Sequence, residues 1–225
     1  MGSIADNLAK VRERMATAAG RAGRNPDEIT LVAVSKTKPA AMIREAFEAG
    51  QRAFGENYAQ ELRDKAQELA DLAIQWHFIG SLQRNKVKYV TPIVGMMESI
   101  DSKELADALN ARAEKRITCL IEVNVGGEDT KSGVEPKDAS DLARHILSLS
   151  NLDLAGVMAI PPFVADAEES RPYFKKLRDV SEQLRRKIDV PLPHISMGMS
   201  FDFEVAIEEG ATIVRVGTTV FGERM

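Results

Sequence analysis

The sequence predicts an α/β protein, a single (β/α)8 TIM barrel with an extra N-terminal helix. Three observations carry that expectation. Short apolar, β-branched runs recur along the chain, beginning with Ile29-Thr30-Leu31-Val32-Ala33-Val34-Ser35, and such runs suit parallel strands buried on both faces. Amphipathic segments at helical spacing separate them. The alternation continues to the last residues with no internal repeat, low-complexity stretch or linker, so 1–225 reads as one domain. An open doubly wound sheet with fewer strands is the alternative; the even spacing of the apolar runs favours the barrel.

The elements follow in order. Ile4, Leu8, Val11 and Met15 share one helical face, giving a leading helix that ends near Gly20 or Gly23. Asn25-Pro26 restarts the chain before a first strand over 29–35. Pro39 opens a helix to about Ala49, since a missing N–H costs nothing in the first turn, and Gly50 stops it. Residues 52–54 form a second strand with Gly55-Glu56-Asn57 as its exit loop, and 58–72 form a helix rich in good helix formers. A third strand, 74–79, leaves through Gly80-Ser81 into a short helix containing Gln83 and Val87. The fourth strand is 93–97, and Asp101 or Ser102 caps a helix through Arg116. The fifth strand, 118–125, empties into a polar glycine-rich loop, 126–133, and Pro136 starts a helix to about Leu149. The sixth strand, 152–160, closes at Pro161-Pro162 before a helix over about 167–187. A short seventh strand (194–196), a short helix (203–209) and an eighth strand (211–216) complete the barrel.

Composition excludes several function classes. A formal net charge of -4 provides no global basic field for nucleic acid. The one cysteine rules out an internal disulfide and paired-cysteine metal sites, and Cys119 sits within an apolar run, where a core role is expected. The N-terminus has no apolar segment of signal-peptide length, and no run approaches the ~20 residues that span a bilayer. A cytoplasmic protein without membrane association is expected. No heptad or apolar stripe asks for a second subunit, so a monomer is expected.

In a barrel, all strand exits share one face, where ligands bind. Lys36 stands at the first exit, where a partly desolvated amine can form a Schiff base with an aldehyde or ketone; a plain surface lysine is the alternative. Glu56 and Asn57 follow the second strand, His77 and Gly80 the third, and Met158 the sixth. The seventh exit offers Ser196-Met197-Gly198-Met199-Ser200, and the eighth Arg215 with Gly217-Thr218-Thr219. Ser200, Gly217 and Thr218 fall on the two loops from which barrels commonly build a phosphate site. Arg215, inside an apolar strand, needs a partner: it either points into the barrel mouth toward a ligand or makes an outward ion pair; His77 reads first as a hydrogen-bonded core residue, and a bond between it and Arg215 would satisfy both. An amine, a phosphate pocket and an arginine suit pyridoxal 5′-phosphate first; a sugar-phosphate carbonyl held by a Schiff-base aldolase is the other reading.

The segments Val34-Ser35-Lys36-Thr37-Lys38-Pro39, Phe54-Gly55-Glu56-Asn57-Tyr58, Trp76-His77-Phe78-Ile79-Gly80-Ser81-Leu82-Gln83-Arg84-Asn85-Lys86 and Arg215-Val216-Gly217-Thr218-Thr219-Val220-Phe221-Gly222 resemble the pyridoxal phosphate homeostasis protein family. So do Gly156-Val157-Met158 and Ser196-Met197-Gly198-Met199-Ser200. The resemblance implies a fold like the N-terminal barrel domain of alanine racemase, with Lys36 carrying pyridoxal phosphate as an internal aldimine. It implies that Ser200, Gly217 and Thr218 hold the phosphate, that Arg215 faces the pyridine nitrogen, and that Asn57 lines the site, with His77 and Met199 completing the cofactor-binding set. An arginine there leaves the ring nitrogen unprotonated and weakens the ring as an electron sink.

The implied function is vitamin B6 homeostasis as a non-catalytic carrier or buffer, the partner being the small molecule itself with transfer to PLP-dependent enzymes. A PLP-dependent racemase-like enzyme or a Schiff-base aldolase is the alternative. Tyr58, Tyr89 and Tyr173 have no motif marking an opposite-face base, so little racemase activity is expected. Lys38, Lys131 and Arg84 read first as solvated surface charge; electrostatic help to cofactor entry at the barrel mouth is the alternative.

Overall fold

A computed structural model describes residues 2–128 and 132–223. The chain starts with α1 (Ile4–Arg21), then β1 (Thr30–Val34), α2 (Ala40–Glu48), β2 (Ala53–Glu56), α3 (Ala59–Glu68) and β3 (Gln75–Phe78). The middle of the chain supplies α4 (Val87–Val90), β4 (Met96–Ile100), α5 (Lys103–Arg112), β5 (Ile117–Glu122) and α6 (Ala139–Leu147). It finishes with β6 (Leu152–Met158), α7 (Arg171–Ile188), β7 (His194–Met199), α8 (Phe203–Glu208), β8 (Ile213–Val216) and α9 (Thr218–Phe221). The strands form one closed barrel in chain order, every pair parallel, with β1 joined to both β2 and β8. The expected barrel and leading helix are therefore present, and the open-sheet alternative is excluded.

The apolar residues sort into two layers. The larger lies between the barrel wall and the helices and includes Phe54, Phe78, Leu62, Ile43 and Phe174. The smaller fills the barrel's inside with Val32, Ala53, Leu120, Ala155, Met158 and Ile213. α1 begins with a reciprocal capping box between Ser3 and Asp6 and buries Ile4, Leu8, Val11, Met15, Ala18 and Ala19. Asn7 donates to the Val220 carbonyl at 3.0 Å, and Arg24 donates to the Ile207 and Ala211 carbonyls, both at 2.8 Å. The leading helix thus braces the last two helices, beside the eighth strand.

Several boundaries differ from the pattern-based expectation. The fourth strand is Met96–Ile100 instead of 93–97. Val90 and Val94 are buried around a turn, while the strand itself carries Glu98 and Ser99, whose polarity hides it. The seventh strand runs to Met199, through a register shift between Ser196 and Met199. Gly198 adopts φ 89°, and a Cβ there would stand 2.5 Å from the Ala206 Cβ, so only glycine lets the bulge pass under α8. Glu56 ends the second strand instead of opening its exit loop. Pro39 occupies the extended N-cap of α2 rather than its first turn.

Candidate functional site

Lys36 and Thr37 are the central residues of a turn that leaves β1. The Ser35 N–H donates to the Gly55 carbonyl at 3.0 Å, and the Lys38 N–H donates to the Ser35 carbonyl at 3.0 Å, closing the turn. Thr37 is held at φ 62°, a left-handed conformation that a β-branched residue avoids. Its N–H donates to Glu61 Oε1 at 2.6 Å. Lys65 of α3 gathers this arrangement from behind: its ammonium donates to the Ser35 carbonyl, Glu56 Oε1 and Glu61 Oε1, each at 2.6 Å. Ser35 Oγ also donates to Glu56 Oε1, at 2.7 Å. Burial raises the Glu56 carboxyl above the usual range, and the Lys65 and Ser35 contacts offset only part of that.

Asn57 follows on the second exit. Its Oδ1 is buried without a hydrogen-bond partner. A Cβ on Gly80 would lie 2.4 Å from the Asn57 carbonyl oxygen, so glycine is required for the third exit to cross behind Asn57. Across the barrel, the Gly217 N–H donates to Ser200 Oγ at 3.2 Å, which ties the seventh exit to the eighth. Thr218 begins α9 immediately after. The Met199 N–H donates to Asp202 Oδ1 at 2.7 Å, and the Met199 side chain is exposed at the rim.

These residues meet. Lys36, Asn57, Met199, Ser200, Arg215, Gly217 and Thr218 line one cavity of about 520 Å³ at the carboxyl ends of the strands, with Val34, Ile79, Ile160, Phe163 and Phe201. That volume suits a small organic ligand. The polar groups fit a phosphorylated aromatic aldehyde: an amine, two hydroxyls beside a glycine and a guanidinium as donors, and an amide oxygen without a partner as an acceptor in the wall.

His77 does not line this cavity, and it is not bonded to Arg215. Its Nδ1 is 2.6 Å from Glu98 Oε1. Glu98 Oε2 accepts from Ser196 Oγ at 2.6 Å. Arg215 donates from Nη1 to Ser196 Oγ and from Nη2 to the Ala159 carbonyl, the latter at 2.8 Å, and lies 3.8 Å from Glu98. A hydrogen-bonded chain therefore crosses the barrel interior from β3 through β4 and β7 to β8, and Glu98 is the partner that both His77 and Arg215 needed. Burial works to raise the Glu98 carboxyl, but His77, the Arg215 charge and Ser196 outweigh it and hold it below the ordinary range.

Three more residues complete the electrostatics. Burial and nearby Asp101 push the Glu122 carboxyl, at the end of β5, up to about 7 against the pull of Arg215. Burial pushes the Cys119 thiol up to about 12, which agrees with the expected core role. Lys38 is neither solvated surface charge nor part of the cavity lining: it is buried and donates to the Glu223 carbonyl at 2.6 Å. Arg84 does not line the cavity either, and Lys131 lies outside the described residues.

Residues 4–225 match the family described as alanine racemase, N-terminal domain. The pyridoxal phosphate homeostasis protein of Aquifex aeolicus (strain VF5) is 50% identical over 222 residues, covering 97% of each chain. The chain belongs to the pyridoxal phosphate homeostasis protein family. The protein of the same name from Escherichia coli (strain K12) is 43% identical over 233 residues, covering 100% of this chain and 98% of its own. Among solved structures, PipY of Synechococcus elongatus PCC7942 with PLP bound superposes with a TM-score of 0.87 at 35% identity, over 98% of this chain and 100% of PipY. Alanine racemase from Corynebacterium glutamicum shares the fold, with a TM-score of 0.71 at 19% identity over 60% of its length.

Proposed function

We propose that this protein binds pyridoxal 5′-phosphate as a Schiff base on Lys36 and serves cofactor homeostasis as a carrier or buffer without turnover. The observation that carries the reading is the convergence of Lys36, Arg215 and the Ser200–Gly217–Thr218 corner on one cavity in a member of this family. The lysine amine attaches the aldehyde, the two hydroxyls and the Gly217 backbone hold the phosphate, and Asn57 orients the ring from the wall. Arg215, fixed by Ser196 and Ala159, presents positive charge toward the ring nitrogen and discourages its protonation. The bound group supplies carbonyl chemistry toward amines, and the chain decides how far that chemistry proceeds.

Two features support carriage over turnover. Among the described residues lining the cavity, Lys36 is the one amine, and no carboxylate, imidazole or phenol lies among them, whereas racemisation needs a base on each face. The rim is open: Phe163 is 93% exposed and Phe201 51%, so water and small amines reach Lys36.

The test is the absorption spectrum of wild type and Lys36→Ala after incubation with the cofactor and desalting. A protonated Schiff-base band retained by wild type and absent from the variant establishes the attachment. Amino acids should then strip the cofactor stoichiometrically. Repeated stereospecific turnover at ordinary enzymatic rates, ~1–10³ s⁻¹, would make the protein an enzyme instead.

A further inference from the structure

Thr37 is the one residue next to the cavity lysine whose backbone is in a conformation that L side chains rarely adopt, at φ 62°. Nothing intrinsic to Ser35-Lys36-Thr37-Lys38 favours that shape, because a β-branched residue belongs in extended backbone. Something must hold it, and strained backbone persists where surrounding structure over-determines it. The holder is visible. Glu61 takes the Thr37 N–H at 2.6 Å, and Lys65 clamps the same Glu61 oxygen, the Ser35 carbonyl and Glu56, all at 2.6 Å. Glu56 is fully buried and Lys65 nearly so, which screens the inner half of the cluster from water, while Glu61 is part-exposed where it takes the Thr37 N–H. It sits behind the barrel wall and does not line the cavity.

We infer that the Glu56–Lys65–Glu61 cluster is a positioning device: it holds the Ser35–Lys38 turn in its left-handed form and thereby presents the Lys36 amine to the cavity. The inference rests on Lys36 being the attachment point, as proposed above. The cluster acts through the backbone from which the lysine extends, by way of the Thr37 N–H and the Ser35 carbonyl. Its removal should leave the phosphate corner and Arg215 intact while slowing capture of the aldehyde.

Glycine adopts left-handed backbone without penalty, so Thr37→Gly should make the clamp dispensable. The test uses wild type, Glu61→Ala, Glu61→Gln, Thr37→Gly and Glu61→Ala/Thr37→Gly. Hydrogen exchange at the Lys38 amide is measured without cofactor. The rate of growth of the Schiff-base band is measured after adding pyridoxal 5′-phosphate.

Glu61→Ala should speed Lys38 exchange and slow band growth about tenfold, the scale of one strained backbone residue. Glu61→Gln, which keeps an acceptor, should lose less. The double variant should recover the wild-type rate to within about threefold, because glycine adopts the turn unaided. Merely structural damage would not be rescued by a glycine at 37. Unchanged rates in Glu61→Ala, or a double variant as slow as Glu61→Ala, would overturn the inference while a normal wild-type band left the attachment reading standing. A wild type that develops no band overturns the attachment reading, and this inference with it.

Discussion

Glu122 shows how much one inward carboxyl can decide. It is buried at the cavity end of β5, and its affinity for a proton is raised to a value of about 7. The unfolded chain releases that proton near 4.5, the ordinary value. Between those two points the folded state binds more protons than the unfolded one, so stability falls as pH rises through the window. At 1.36 kcal/mol per unit the total is about 3 kcal/mol. Glu122→Gln removes the ionisation and keeps the shape. In urea titrations from pH 5 to pH 8, the variant should gain on wild type progressively, by about that amount. A gap that stays constant with pH would show that Glu122 does not titrate there.

Glu98 and the Lys65–Glu61 half of the clamp are not legible in the sequence. A strand that carries a carboxylate inward, as β4 does with Glu98, looks like a strand that has ended, and the groups that bond it lie on other strands; Lys65 and Glu61 reach Glu56 and the Ser35–Lys38 turn from α3, a contact that no local pattern marks. His77 illustrates the same limit: its need for a partner was readable, but the choice of Glu98 over Arg215 depends on β3 and β4 lying side by side. Lys36, Asn57, Ser200, Gly217 and Thr218 were readable because the rule that finds them is local: a polar or glycine residue at the end of an apolar run.

At the scale of the element, β7 carries the most consequence. Its bulge at Gly198 places Met199 opposite Arg215 and Ser200 within reach of Gly217. Gly198→Ala forces a side chain against Ala206 and Phe203 at a backbone φ of 89°. A loss of about 2–4 kcal/mol in thermal or urea unfolding is expected, combining strain with overpacking. Weaker retention of cofactor phosphate should accompany it, since Ser200 follows directly. A loss below about 0.5 kcal/mol, the range of a neutral surface change, would mean that the bulge relaxes freely. The pattern of Gly198 and Ser200 read as loop because those residues usually mark one; only the contact with α8 reveals a strand continuing through a glycine. The fourth strand shows the converse: apolar Ile93 and Val94 pack in a turn, while polar Glu98 and Ser99 lie within the strand, at a register shift between the paired Met97 and Ile100.

Across the whole molecule, strand order and closure were legible because alternation of short apolar runs with helical faces permits few other arrangements. A ligand held jointly by the first, second, seventh and eighth exits should stabilise the entire barrel rather than one loop. Pyridoxal 5′-phosphate at a hundredfold excess over its Kd should add about 2.7 kcal/mol to the unfolding free energy, and Lys36→Ala should lose most of that gain at the same concentration. Differential scanning calorimetry with and without cofactor measures both. Equal gains in the two proteins would place the ligand away from Lys36.

Closure also has a meaning in time. β1, which delivers Lys36, is paired on one side by β2 and on the other by β8, the last strand. A ribosome releases the N-terminal part first, and Lys36 and Asn57 emerge roughly 150 residues ahead of Ser200 and Arg215 at about 5–20 residues per second. For that interval the lysine strand has an open edge and no phosphate corner. On the proposed Lys36 attachment, a nascent or truncated chain carries the amine without the pocket that would make it selective, and cofactor capture becomes a property of finished molecules alone.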